Sequence, residues 1–224
     1  EDYLYSIRMR IRGRLPNAPK NVLIIRWNTE DFQLLKNKIH PEEKDEDSLK
    51  TLFYWDPWVM EKTLEDLLAR NPKAILMTWH IPEEIAGRLP RHFQQSAIND
   101  PRVIWPGQFN IDGKYIYPPK PLASSAQSGF SNLFPDTDGQ IRRSFWQREG
   151  KPSLTALAFQ ALRPGEPVPL KTPDKSFLIN FVGKPGYIPE CYLHQLWEDS
   201  SEPCPYSLQD RVLLISKEGS SRSS

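Results

Sequence analysis

Short apolar runs and amphipathic segments alternate along the chain. Five runs rich in β-branched and other apolar residues predict buried strands, at 21–27, 73–79, 102–106, 176–183 and 211–216. Asp56 and Pro57 open a segment whose apolar residues recur at helical spacing, and a second such segment covers 152–165. This order predicts an α/β fold with a mixed, mostly parallel sheet flanked by helices. We expect one domain over residues 1–224.

Two Asp-Gly turns predict antiparallel additions to this sheet. Asp112-Gly113 predicts a projecting hairpin insertion, because Asp-Gly fits the positive φ angles of tight hairpin turns. Asp138-Gly139 is a second Asp-Gly pair that fits such a turn. It predicts that 129–133 and 140–149 pair as antiparallel strands.

Three further helices are predicted from apolar spacing, at 3–14, 82–98 and 189–197. The first is basic, and it includes Arg12 and Arg14. Such a helix is either a membrane-proximal stem that contacts lipid headgroups or a solvated helix face, and the sequence leaves both interpretations open.

Composition and charge exclude several classes of protein. Hydrophobic residues make up 38% of the chain, which is enough for a sizeable core, while 29 Lys and Arg nearly balance 28 Asp and Glu. A net charge of +1 gives no electrostatic reason to expect nucleic acid as a partner. No apolar run reaches the roughly 18–20 residues that a membrane-spanning helix needs.

Enzyme motifs are absent from the sequence. The chain lacks GxSxG, HExxH, the P-loop and the Rossmann glycine pattern, and its four histidines share no metal-ligand spacing. We therefore predict no catalytic residue, no metal site and no cofactor.

Aromatic and polar residues near two strand ends form the best candidate for a binding site. Trp79 and His80 follow the second predicted strand, and Trp105 and Gln108 lie at the end of the third. Because ligands of open α/β sheets bind beyond the carboxyl ends of the strands, we expect these four to line a pocket. The alternatives are aromatic residues that cap the core, or a dimer contact.

The segment PDTDGQIRR combines a turn with four charged residues. Asp136, Asp138 and Gly139 fit a hairpin turn in which the carboxylates accept backbone hydrogen bonds. Their spacing does not match a calcium-binding EF-hand loop. We expect Arg142 or Arg143 to form a structural ion pair with these aspartates, while the other arginine faces solvent or a cleft.

Cys191 and Cys204 are the two cysteines of the chain. In an oxidising compartment they would pair, and closing so short a loop stabilises a fold by about 3 kcal/mol. Two free thiols remain an equal alternative, because the sequence does not state the compartment.

Taken together, these motifs resemble the type 2 CHASE domain, an extracytoplasmic sensory module of bacterial nucleotide cyclases, histidine kinases and related receptors. The segments that carry the resemblance follow in family order: NVLIIRW, YWDPWVMEKTLEDLLARNPKAI, GFSNLFPDTDGQIRR, PSLTALAF, LINFVG and RVLLIS. The chain departs from the family after its first two strands. There Arg26, Trp27, Trp79 and His80 stand where relatives commonly carry acidic residues.

The resemblance implies a function and a location. It implies a periplasmic sensor domain that is held at the inner membrane by helices outside this sequence and signals to a cytosolic cyclase or kinase domain. The partner would be an unknown small ligand or periplasmic protein, and the receptor would be a homodimer. Two alternatives remain: a structural dimerisation domain without a small ligand, and an extracytoplasmic hydrolase. Neither the ligand nor the output domain follows from these residues.

Overall fold

Seven strands form the central sheet. The computed structural model describes residues 20–39, 56–81, 96–119, 122, 128–167, 176–179, 187–197 and 200–217. The strands of the main sheet are β1 (Val22–Trp27), β2 (Ala74–Met77), β3 (Val103–Phe109), β4 (Tyr115–Ile116), β5 (Ser128–Phe130), β10 (Glu190–Tyr192) and β11 (Val212–Lys217). Their order is β10-β1-β11-β2-β3-β4, with β5 also paired to β3. All pairs are parallel except β3–β4.

Three helices and two small antiparallel pairs complete the described fold. The helices are α1 (Thr29–Ile39), α2 (Pro57–Leu68) and α3 (Leu154–Leu162), and Leu193–Leu196 is a short 3-10 helix. The small pairs join β6 (Arg143–Ser144) to β9 (Phe177–Leu178) and β7 (Gln147–Arg148) to β8 (Lys151–Pro152). The predicted fold class, a mixed and mostly parallel sheet with flanking helices, is confirmed.

The two faces of the sheet are covered unequally. One face, here the α1–α2 face, packs against the apolar residues of α1 and α2. It carries the buried side chains of Leu23, Ile25 and Trp27 from β1 and of Leu213 and Ile215 from β11. The opposite face, here the α3 face, contacts α3 through a smaller cluster built on Leu76, Ile104 and Val212. On this second face, Val22 and Leu214 are only partly buried although β1 and β11 are interior strands.

Local signals fix the helix starts where they were predicted. The Asp56 carboxylate accepts hydrogen bonds from the amides of Trp58 and Val59, at 2.9 and 3.1 Å, and Pro57 occupies the first turn. Ser153 caps α3 by accepting from the Ala156 amide at 3.1 Å. These contacts satisfy amides that have no partner inside the helix.

The hairpin at Asp112-Gly113 is confirmed. At Asp138-Gly139 the turn is also present, and the Asp138 side chain accepts from the Gln140 amide at 3.1 Å, but the predicted antiparallel pairing of 129–133 with 140–149 is wrong. In the first, Gly113 has a φ of 78° and β3 pairs antiparallel with β4. In the second, β5 instead joins the main sheet parallel to β3. Of the predicted pairing, an isolated antiparallel bridge between Phe134 and Arg143 remains next to the turn.

Other predicted elements were shifted, missed or not described. The short helix predicted near 189–197 is a strand followed by the 3-10 helix, and α1 was not predicted. The basic helix at the start and most of the 82–98 helix lie outside the described residues. No helix in the described ranges is both long enough and apolar enough to span a bilayer.

Candidate functional site: a cavity on the α3 face

Trp105 and Gln108 do not belong to one pocket. Trp105 is fully buried on the α1–α2 face, and its indole N–H donates to the Ile98 carbonyl at 3.1 Å. Gln108 is three residues further along the same strand, so it points to the opposite face. Strand β3 continues to Phe109, beyond the predicted end at Pro106, which places Trp105 inside the strand rather than at its edge. The structure therefore places Trp105 in the core, as the alternative interpretation held.

Trp79 and His80 follow β2, as predicted, at the carboxyl edge of the sheet. Trp79 is partly buried and packs edge-on against Trp27, with ring centroids 5.9 Å apart. Trp27 ends β1, so the two indoles meet across the end of β11, the strand that lies between β1 and β2. The Nδ1 atom of His80 and the Nε1 atom of Trp27 are buried and have no hydrogen-bond partner within the described residues.

An acid–histidine pair, which the sequence analysis missed, lies at the same edge. Asp31 is buried in the first turn of α1, and its Oδ1 atom is 2.7 Å from Nδ1 of the half-exposed His194. The Asn28 side chain fixes this turn by accepting from the Asp31 amide at 2.7 Å. Because the two residues are 163 positions apart, no local pattern could have revealed the pair. Within the described residues, no hydroxyl or thiol is hydrogen-bonded to His194, so no nucleophile–base pair of the hydrolase type is found among them.

A cavity of about 480 Å³ lies between α3 and the sheet. Its floor is the α3 face of β1, β11 and β2, and its roof is α3 with the segment after β5. This volume falls in the range of small-molecule sites. The lining residues are Val22, Leu76, Thr78, Phe130, Ser131, Asn132, Leu133, Ser144, Ser153, Leu154, Thr155, Ala158, Val212 and Leu214.

Hydroxyl groups are the main polar component of this lining. The Thr78 hydroxyl donates to the Ile215 carbonyl at 2.8 Å. The buried Ser153 oxygen accepts from the Ala156 amide, and its own proton has no acceptor within the described residues. Ser144 and Thr155 add two further hydroxyl groups to the lining. Among the described residues of the lining, no side chain is ionisable.

The Gly-Phe-x-Asn segment builds the wall of the cavity. A Cβ atom on Gly129 would lie 2.8 Å from the Ser153 carbonyl carbon and 2.9 Å from the Leu154 nitrogen, so only glycine lets β5 approach the start of α3. The Asn132 side chain accepts from the Phe109 amide at 2.6 Å and donates to its carbonyl at 2.8 Å. The side-chain amide of Asn132 thus continues the hydrogen bonding to β3 past the last residue of β5.

The Asp-Gly turn after this segment holds a network of ion pairs. Arg142 is buried and binds Asp138 through two hydrogen bonds of 2.8 and 2.7 Å, and it also lies 3.3 Å from Asp136. Arg143 is 3.5 Å from Asp136, so both arginines, and not one alone, face the aspartates. The hydrogen bonds from Arg142 lower the pKa of Asp138 to about 2, and those carboxylates raise the pKa of Arg142. Gly139 supplies the positive φ of 78° at the turn.

Cys191 and Cys204 form a disulfide, with Cα atoms 5.7 Å apart. The bond joins edge strand β10 to the loop that precedes β11, and Cys191 is buried in the main core. Across the described ranges, no group of three or more His, Cys, Asp or Glu side chains is placed to hold a metal ion.

Comparison with known proteins identifies the family to which the chain belongs. No curated protein and no solved structure matches the chain. The model of the CHASE2 domain family, however, matches residues 1–222, which is nearly the whole sequence. The match agrees with the order of motifs and with the observed mixed sheet. The chain belongs to the CHASE2 domain family, a family of extracellular sensory domains.

Proposed function

We propose that this chain is the periplasmic sensor domain of a bacterial transmembrane receptor. Binding of a small ligand or a periplasmic protein would be transmitted to a cytosolic output domain, such as a nucleotide cyclase or a kinase. Membership of an extracellular sensory family supports the proposal. The observation that carries it is the cavity of about 480 Å³, because it gives a sensor a place to bind a ligand.

The strand order suggests how ligand binding in the cavity would be transmitted towards the membrane. The cavity floor includes Val22 of β1 and Val212 and Leu214 of β11, which are the first and last described strands. These strands are direct neighbours, with Val22 opposite Val212. A shift of α3 relative to this floor would therefore move the two strands through which the chain enters and leaves the described fold.

The receptor would act as a homodimer, in which the binding event biases two arrangements of the subunits. Ile111 and Tyr117 support a contact near the β3–β4 hairpin, because both are exposed apolar or aromatic side chains.

Filling the cavity tests the sensor function. Ala158 lines the cavity on α3, and Gln160 is exposed on the same helix and does not line it. We expect Ala158→Phe, in the full gene product in native membranes, to change basal cyclase or kinase output at least about threefold, since about 0.7 kcal/mol of bias is sufficient. Gln160→Phe is the matched control and should leave output unchanged. Identical output from both variants would instead support the alternative, a structural dimerisation domain without a small ligand.

A further inference from the structure

We infer that the cavity selects an uncharged, largely apolar small molecule that carries one or two hydrogen-bonding groups. The inference rests on the proposed sensor function and specifies the chemistry of its ligand. Three features of the cavity lead to it: an incompletely covered sheet, a lining without ionisable groups and a set of hydroxyls.

The incompletely covered sheet sets the apolar character of the ligand. Parallel sheets are usually covered on both faces. Here α3 has nine residues and packs on Leu76, Ile104 and Val212, whereas Val22 and Leu214 remain partly exposed beside it. An apolar molecule seated on these two side chains would remove their surface from water, which is favourable.

The described part of the lining disfavours a charged ligand. None of the fourteen side chains described there is ionisable. On the same face of β1, Arg26 already pairs with Glu190 at 2.8 Å, so its charge is compensated. A carboxylate or an ammonium group in the cavity would lose hydration without gaining a counter-charge, and that loss is costly.

The hydroxyls give the ligand an orientation. Ser153 is buried, accepts from Ala156 and retains a proton for an acceptor on the ligand. Ser144 and Thr155 add two hydroxyls on the same lining that can donate or accept. A hydroxyl or carbonyl group of the ligand would bind here, while its apolar part would contact Val22 and Leu214.

Three probes with one carbon skeleton test this selectivity. The purified chain is titrated by calorimetry with 1-octanol, octanoate and octylammonium at pH 7, below micelle-forming concentrations. We expect 1-octanol to bind at least about tenfold more tightly than either ion, because only the neutral headgroup enters without losing charge hydration. Equal or tighter binding of octanoate or octylammonium, or no binding of 1-octanol, would overturn the inference.

Substitutions on α3 test whether 1-octanol binds in this cavity. Ala158→Phe should abolish 1-octanol binding and Ala158→Leu should weaken it, whereas Gln160→Phe should leave it unchanged. The milder leucine variant keeps the test decisive if the phenylalanine variant does not fold. Unaltered binding in Ala158→Leu would contradict the site. Sedimentation could also show that the chain is a dimer and that Ala158→Leu dissociates it. In that case a second copy of the chain would cover this face, and the inference would be contradicted.

The two proposals can fail separately. If 1-octanol does not bind but Ala158→Phe still changes receptor output, the sensor function stands and this ligand class is wrong. If 1-octanol binds in the cavity but neither the probe nor Ala158→Phe affects output, the ligand class stands and the sensor function is wrong.

Discussion

Single residues determine how closely the elements around the cavity approach one another. Gly129 is the clearest case, because any larger residue would meet backbone atoms of Ser153 and Leu154, which cannot rotate away as a side chain could. Ser153 in turn caps α3 and lines the cavity. The distance between β5 and α3, and with it the shape of the site, therefore depends on one missing Cβ atom.

Gly129→Ala should lower the free energy of unfolding by about 2–3 kcal/mol, the upper part of the range for overpacking. Gly113→Ala is the matched comparison: its Cβ would meet nothing within 4 Å, but its φ of 78° is unfavourable for alanine. We expect that variant to lose about 1 kcal/mol. Urea unfolding followed by circular dichroism measures both, and a smaller loss in Gly129→Ala than in Gly113→Ala would refute the close packing.

Asp138 should make the fold sensitive to acid. Its pKa in the native state is about 2, below the usual value near 3.9 of an unfolded chain, so its ionised form stabilises the fold above about pH 4. This contribution is lost as the pH falls through about 2. Melting temperatures between pH 7 and pH 2 should therefore fall less steeply in Asp138→Asn than in the unmodified chain, and Asp138→Asn should be less stable at pH 7.

Asp112→Asn provides the control for this titration. Asp112 is an exposed carboxylate at the other Asp-Gly turn, and its described contact is a 3.4 Å hydrogen bond from Asn110. Its replacement should leave the pH dependence of melting nearly unchanged. Identical pH profiles for Asp138→Asn and the unmodified chain would show that the Arg142 contact does not stabilise the fold.

Residue roles that depend on near neighbours could be predicted, and those that depend on distant contacts could not. Asp56 as a helix cap and Gly113 as a turn residue follow from residues within four positions. The burial of Trp105 could not be predicted, because it depends on where β3 ends and on the Ile98 carbonyl. The Asp31–His194 pair joins residues that only the folded sheet brings together.

Elements are held to one another by a small number of long-range polar contacts. Glu61, buried in α2, accepts hydrogen bonds from the Ser96 hydroxyl and from the amides of Ala97 and Ile98, at 2.8, 2.7 and 2.9 Å. The carboxylate thus fixes the turn that leads into β3. The same turn carries the Ile98 carbonyl that binds Trp105.

Glu61→Ala should lower the free energy of unfolding by about 3 kcal/mol, because it leaves buried amides without an acceptor. Glu65 is exposed one turn further along α2, and Glu65→Ala should change stability by less than about 0.5 kcal/mol. Chemical denaturation compares the two. Equal, small losses would mean that water replaces the Glu61 carboxylate.

The disulfide should stabilise β10 at the edge of the sheet. Cys191 and Cys204 are 13 positions apart, and replacing both by serine should cost about 3 kcal/mol in the loop-entropy account. Reduction with dithiothreitol should lower the melting temperature of the unmodified chain and leave that of the double variant unchanged. If the reductant has no effect on the unmodified chain, the two thiols are not paired in solution.

At the element scale, strands that form continuous apolar runs were predicted and elements defined by their partners were not. The runs at β1, β2 and β11 indicate buried parallel strands by themselves. Strand β5 has three residues, and its pairing with β3 rather than with the following segment depends on the tertiary fold. Helix α1 was missed although Asn28, Phe32 and Leu35 give it a cap and an apolar face.

At the scale of the whole molecule, the order of strands creates the site. Strand β11, the last in sequence, inserts between β1 and β2, so the sheet joins both ends of the described chain at its centre. The sequence predicts parallel strands but not this insertion. The cavity could not be predicted either, because it exists where the nine-residue helix α3 leaves part of the sheet uncovered.

The location of the domain tests the account most directly, since a sensor of external signals must lie outside the cytoplasm. The full gene product is expressed in its native cell, spheroplasts are treated with protease, and the fragment containing this chain is followed with an antibody. We predict that the domain is cleaved while a cytosolic marker remains intact, and that it sediments with the membrane before treatment. Protection of the domain until the cells are lysed, or its recovery in the cytosolic fraction, would contradict the account.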